Sequence, residues 1–216
     1  MTLKTNIDAL RDTMEEEMRR DDRIVVLGED VGVRGGVFRA TEGLFEKFGA
    51  DRVIDSPLSE LSIVAVGIGL ALKGMRPIAE IQFADFIHPA FNQIVNEAAF
   101  TRYRSNGDWS CPLVIRGPYG GGIGGGIYHS QSVEAFFAHV PGLYVFAPST
   151  PADFAGMLRT ALRLEDPVLF LEQKKTYRLI KGVLPDEPFA VPVGKARVAR
   201  QRRDGHRLRP DVPRNA

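Results

Sequence analysis

The chain has 216 residues, 44% of them hydrophobic and 25% charged, with 28 Lys and Arg against 27 Asp and Glu. That balance belongs to a folded globular protein and excludes an acidic disordered chain, a collagen-like repeat and a disulfide-stapled miniprotein. The net charge of +1 joins unlike parts: from Lys195 onward eight Lys and Arg stand against two Asp, a charge of +6, which leaves −5 for residues 1–194.

Helix and strand signals alternate along the chain. Asn6 is expected to cap a helix whose apolar residues Ile7, Leu10, Met14 and Met18 fall at helical spacing, and residues 24–27 form a short continuous apolar strand. Helices are predicted at 41–48, 60–73, 90–103, 133–138 and 152–164, the one at 60–73 almost wholly apolar and therefore buried. Strands are predicted at 52–54, 77–81, 113–116, 143–146 and 168–171. Short buried strands separated by helices imply a mostly parallel sheet covered by helices on both faces, an α/β fold. Prolines at 185, 188 and 192 break any long helix in that part of the chain, and residues 191–198 are expected to begin one more strand. The stretch from Arg200 shows no periodicity and is not expected to fold.

Cys111 is the single cysteine, so no internal disulfide is possible and a reducing cytoplasm is the simplest expectation. Residues 1–12 have no apolar core of a secretory signal, and the longest uncharged apolar stretch, residues 63–72, is about half a membrane span. The basic tail lacks interleaved aromatics, so no nucleic-acid role is expected of it.

In a parallel sheet, ligands bind where strands end in loops. The loops after the strands here hold Gly28-Glu29-Asp30-Val31-Gly32, Pro57-Leu58-Ser59-Glu60, Gln82-Phe83-Ala84-Asp85-Phe86 and the stretch 117–131, rich in glycine. Glycines 120, 122 and 125 satisfy G-x-G-x-x-G in form, but no long helix comes directly after them and no acidic residue stands where a dinucleotide ribose would need one. A backbone packed closely against a ligand or a neighbouring chain explains the glycines better. His129 lies just beyond, among Ser130, Gln131 and Ser132, where an imidazole can shuttle protons or be merely structural. Glu60 is either a first-turn glutamate favoured by the helix dipole or a carboxylate in a dry cleft that exchanges a proton with a ligand nitrogen. His88 and His139 read as structural, and no set of His, Cys, Asp and Glu has zinc spacing.

With Phe170-Leu171-Glu172-Gln173-Lys174 and Tyr128-His129-Ser130-Gln131-Ser132 added, these ordered blocks resemble the β subunit of the 2-oxo acid dehydrogenase E1 component, in wording nearest the branched-chain form and then the pyruvate form. The resemblance implies a transketolase-like, pyrimidine-binding thiamine diphosphate domain over residues 1–180, with 181–199 as a linker and the start of a C-terminal domain expected to be missing, and 200–216 as a basic tail, disordered or frameshifted. It implies an α2β2 heterotetramer with an E1 α subunit, which holds magnesium and shares the thiamine diphosphate. The substrate is then a small 2-oxo acid, and the acyl group passes to the lipoyl arm of the E2 acyltransferase. Glu60 becomes the carboxylate on the pyrimidine ring nitrogen, Leu58, Gln82 and Phe86 line the pyrimidine pocket, and His129 assists transfer to the lipoyl arm. Cys111, Leu113, Val114, Ala161, Leu164 and Asp166 match a potassium site built mostly of backbone carbonyls. The Gly-Asp-Gly segment that the family uses for diphosphate and magnesium does not occur in this sequence, consistent with its place on the α chain. The competing expectation is a catalytically inactive pyrimidine-domain protein that serves only as an interaction partner.

Overall fold

The computed structural model describes residues 2–196. In chain order its elements are β1 (Thr2–Thr5), α1 (Asn6–Arg20), β2 (Ile24–Gly28), α2 (Leu44–Phe48), β3 (Val53–Asp55), α3 (Glu60–Leu72), β4 (Arg76–Glu80), α4 (Thr101–Arg104), β5 (Val114–Tyr119), α5 (Glu134–Phe137), β6 (Tyr144–Phe146), α6 (Pro151–Arg163), β7 (Val168–Gln173) and β8 (Lys181–Leu184). Six strands pair in parallel in the order β3-β2-β4-β5-β7-β6. The period-2 alternation of strand side chains divides the core in two. Val26, Ile78, Val114 and Phe170 face α1 and α6, while Ala79, Ile115 and Leu171 face α3 and the segment around Ile94. The expected α/β architecture is therefore the one observed.

Local chemistry sets the helix starts. Thr5, not Asn6, caps α1: its hydroxyl accepts from the Asp8 amide and Asp8 reaches back to the Thr5 amide, a reciprocal pair that satisfies two otherwise orphaned donors. Asn6 is instead buried, its amide donating to Thr176 Oγ1 at 3.0 Å and the Ser149 carbonyl at 3.3 Å. Thr150 and Asp153 repeat the same box at α6. Ser59 caps α3, its hydroxyl accepting from the Ser62 amide.

Three expectations are corrected. The helix predicted at 90–103 is a single 3-10 turn at His88–Ala90, a π-helical segment at Gln93–Ala98 and the short α4. The Ala99 amide donates to the Ile94 carbonyl five residues back, a one-residue insertion that apolar spacing does not register. α3 is not buried all round, because Leu61 and Val66 lie 43% and 53% exposed on its outer face. Residues 191–196 form no strand; the additional strand is β8, which pairs antiparallel with β1. Beyond it the Val191 amide donates to the Gly156 carbonyl, so the segment past residue 180 packs on α6. The expectations for residues 200–216 lie outside the described residues.

At the carboxyl ends of the central strands a buried ionic cluster replaces apolar packing. Arg116 of β5 makes two parallel bonds of 2.6 Å to the Glu172 carboxylate of β7 and a further one to Glu80 of β4, and Tyr177 donates its hydroxyl to Glu172. All four side chains are buried. Burial pushes the Glu80 carboxyl up. It also opposes the charge on Arg116, but Glu172 and Glu80 outweigh it and hold the guanidinium protonated. Replacing Arg116 by Met leaves two carboxylates buried without their cation, so urea unfolding should show a loss of about 3–5 kcal/mol; a loss below about 1 kcal/mol would mean that the cluster holds little.

Candidate functional site

The sheet order reverses between β2 and β4: the chain leaves β2 for β3 on one side and leaves β4 for β5 on the other. Such a reversal opens a crevice at the carboxyl ends of the two strands, and the loops around it carry the predicted residues. Asp30 has a left-handed backbone, and the next turn is fixed by Asp55 at the end of β3, whose carboxylate accepts from the Gly32 amide at 2.7 Å. Across the crevice the Gln82 side-chain amide donates to the Glu29 carbonyl at 3.4 Å. Glu60 stands in the first turn of α3, half-buried. Burial raises the Glu29 carboxyl, and the nearby charges of Asp30 and Glu60 raise it further, so two carboxylates from different loops share one region of the crevice. Leu58 is 73% exposed on the turn ahead of Glu60.

His129 joins this group from the far side. Its ring meets Phe83 edge-on at 4.6 Å between centroids and Phe86 at 5.4 Å. Its Nδ1 lies 3.1 Å from the Gly125 carbonyl. A carbonyl only accepts, so Nδ1 is the donor here, and among the described residues Nε2 has no hydrogen-bond partner. The neighbours expected from sequence were serines and glutamine; the actual environment of the ring is aromatic. The glycine loop is explained by close approach. A Cβ on Gly125 would lie 2.5 Å from that of His129, and Gly120, at a φ of +78°, rests against the Gln173 side chain.

Glu60, Leu58, Gln82, Phe86 and His129 therefore gather at one end of the sheet, and the cation candidates gather at the other. The Cys111 amide donates to the Glu165 carbonyl and the Val168 amide to the Leu113 carbonyl, bringing residues 111–114 beside 161–166 at the amino ends of β5 and β7. Leu164 offers its carbonyl to Arg76 at 2.9 Å, and Asp166 binds Arg102 at 2.5 Å. The Cys111 thiol, pushed up to about 12 by burial and by Asp166, is inert at neutral pH.

Arg116, Asp85 and Lys174 were not singled out by sequence. Arg116 and Asp85 are charged residues inside apolar runs, which was the available signal, whereas Lys174 stands among Glu172, Gln173 and Lys175 and its burial leaves no local mark in the sequence.

Comparison with known proteins identifies the family of the domain. Residues 4–180 match the family described as transketolase, pyrimidine binding domain. The chain belongs to that family. Among its relatives are the 2-oxoisovalerate dehydrogenase subunit beta of Bacillus subtilis (strain 168), 61% identical over 201 residues, and the mitochondrial subunit of that name from Dictyostelium discoideum, 51% identical over 197 residues. The pyruvate dehydrogenase E1 component subunit beta of Bacillus subtilis (strain 168) is 45% identical over 204 residues. These alignments cover 93%, 91% and 94% of this chain but 62%, 53% and 63% of the relatives, so the chain spans about three fifths of their length. A solved structure titled "Split gene transketolase, inactive beta4 tetramer" shares the fold, with a TM-score of 0.62 and 23% identity over 78% of this chain and 51% of its own.

Within the pyrimidine-binding domain, the carboxylate pair is open to a direct test. Glu60→Gln removes a like charge beside Glu29, so the Glu29 pKa should fall toward its ordinary value in a carboxyl NMR titration; an unmoved Glu29 would separate the two groups.

Proposed function

We propose that this chain is the β subunit of a thiamine diphosphate-dependent 2-oxo acid dehydrogenase E1, working with an α subunit. The observation that carries this proposal is Glu60: a half-buried carboxylate in a crevice at the sheet reversal, near the carboxylate of Glu29, with the exposed Leu58 two residues ahead of it and Phe86 on the loop after β4 at the same end of the sheet. That donor set fits an aminopyrimidine, a flat ring with one nitrogen that a carboxyl can protonate and two faces that need apolar cover. The 61% identity with the Bacillus subtilis 2-oxoisovalerate subunit supports a branched-chain 2-oxo acid as substrate ahead of pyruvate.

In this proposal Glu60 holds and exchanges a proton at the pyrimidine nitrogen. Phe86 and Leu58 cover the ring and exclude water, and the Gln82 amide braces the Glu29 backbone that closes the crevice. When bound, thiamine diphosphate supplies the electron sink for loss of carbon dioxide. His129, with Nε2 free, serves the later transfer of the acyl group to the lipoyl arm of E2. The diphosphate and magnesium belong to the α subunit. The outer face of α3, with Leu61 and Val66 exposed directly beyond Glu60, supports a partner chain beside the crevice, as in an α2β2 assembly. No helix among the described residues is long and apolar enough to cross a membrane. A cytoplasmic location is part of the same proposal.

Co-purified with its α subunit and given thiamine diphosphate, magnesium and a branched 2-oxo acid, the chain should support decarboxylation, and Glu60→Gln should lower that rate at least about 100-fold. His129→Ala should leave decarboxylation to an artificial electron acceptor nearly intact and lose lipoyl acylation. Decarboxylation that survives Glu60→Gln unchanged would remove Glu60 from its role.

Potassium is proposed at Cys111, Leu113, Val114, Ala161, Leu164 and Asp166. The converging backbone supports it, because a carbonyl engaged in one hydrogen bond keeps a second lone pair. The chain should then melt a few degrees higher in potassium than in sodium at equal ionic strength. Equal melting would assign charge balance there to Arg76 and Arg102.

A further inference from the structure

The loop that presents His129 needs restraint from elsewhere. Seven of the ten residues from 117 to 126 are glycine, and ordering such a stretch costs more conformational entropy than any other. The restraint comes from residues 83–86, just beyond β4. Phe83 and Phe86 meet the imidazole edge-on. Asp85, between them, is 7% exposed, and its Oδ1 accepts from two consecutive amides, Ser130 and Gln131, each at 2.9 Å. The Gly120 amide closes the loop from the other side by donating to the Gln131 carbonyl at 2.8 Å.

Beneath this arrangement lies a buried cation. Lys174 is 4% exposed, with its ammonium 5.7 Å over the Phe83 ring, so Phe83 meets both His129 and Lys174. Burial lowers the Lys174 ammonium pKa, and the charge of Asp85 opposes that. Among the described residues neither Lys174 Nζ nor Asp85 Oδ2 has a hydrogen-bond partner. Burying a carboxylate and an ammonium costs several kcal/mol for each ion, whereas a serine or asparagine would tether a loop at less cost. Two opposite charges converging on one histidine-bearing turn point to a requirement for a fixed geometry there.

We propose that Asp85 is the positioning residue of His129: its carboxylate clamps the backbone just past the histidine, with Lys174 as buried counter-charge, so that the imidazole stays edge-on to Phe83 and Phe86 with Nε2 free. The proposal rests on the role of His129 in acyl transfer. It makes Asp85 and Lys174 residues for acyl transfer rather than for decarboxylation, which Glu60 serves from the other side of the crevice.

The test separates the two half-reactions in the enzyme assembled with its α subunit. Asp85→Ala should slow acylation of a lipoyl domain at least about tenfold and leave decarboxylation to an artificial acceptor within about twofold, since a displacement of about 1 Å is enough to cost that much in a positioned group. Asp85→Asn keeps an oxygen for the two amides and should recover most of the loss. Lys174→Met, which keeps the packing but removes the counter-charge, should give the same division in smaller measure and keeps the test open should Asp85→Ala fold poorly. In the full chain, independent of activity, amide exchange at residues 130 and 131 should accelerate in Asp85→Ala but not in Asp85→Asn, and carbethoxylation of His129 should change relative to His88 and His139. Exchange that stays slow in Asp85→Ala, or equal loss in both half-reactions, overturns the proposal. If wild-type enzyme decarboxylates no 2-oxo acid, the functional proposal fails, while the exchange and carbethoxylation rates still judge the clamp.

Discussion

The guanidinium of Arg116 is the point on which the functional end of this domain depends. It binds carboxylates from both neighbouring strands, Glu80 on β4 and Glu172 on β7, and Tyr177 completes the shell. An apolar cluster would tolerate a strand sliding by two residues, but a bidentate ion pair in a dry interior does not. The cluster also supports the loops over it. The backbone of Gly36 approaches the Glu80 carboxylate closely enough that a Cβ there would sit 3.1 Å from its Oε1, so the loop between β2 and α2 rests directly on the buried charges. Part of the apolar burial energy is exchanged for register at the place where register decides whether residues from four loops meet.

The two ends of the sheet then divide the labour. The carboxyl ends carry the titratable groups: Glu29 and Glu60 on one side of the crevice, His129 against Phe83 and Phe86 on the other. The amino ends carry backbone carbonyls and two arginines, Arg76 and Arg102, that bind the C-terminal end of α6 and the turn before β7. Parallel strands enforce this separation, because every loop after a strand emerges at the same end. α3 links the site to the surface. Ile63, Val64 and Ile68 of this helix fill the core, Leu61 and Val66 face outward, and its first turn holds Glu60. A partner seated on that outer face would lie against the crevice as well.

Much of the candidate site was legible in the sequence because Glu60, Gln82, Phe86 and His129 sit in or at the edge of segments after strands whose composition is unlike core. The residues that sequence missed act at long range. Asp85 lies inside the aromatic run Phe83-Ala84-Asp85-Phe86, and its function depends on amides 45 and 46 residues away. The π-helical insertion at Gln93–Ala98 shifts the chain by one residue without disturbing the apolar spacing that predicted a continuous helix. The capping of α1 was misassigned by one position because Thr5 and Asn6 are both good caps, and only the burial of Asn6 against Thr176 and Ser149 separates them.

The sequence by itself determined the α/β class, the two-faced sheet and the loops that hold the chemistry, because strand and helix periodicity and the turn residues are local properties of the chain. Tertiary structure alone decided that β1 pairs with β8, that Arg116 joins two carboxylates and that Asp85 binds the His129 loop. Each of these depends on a hydrogen bond or ion pair between residues far apart in sequence. Such a contact leaves no period behind, only a polar residue where burial would otherwise exclude one.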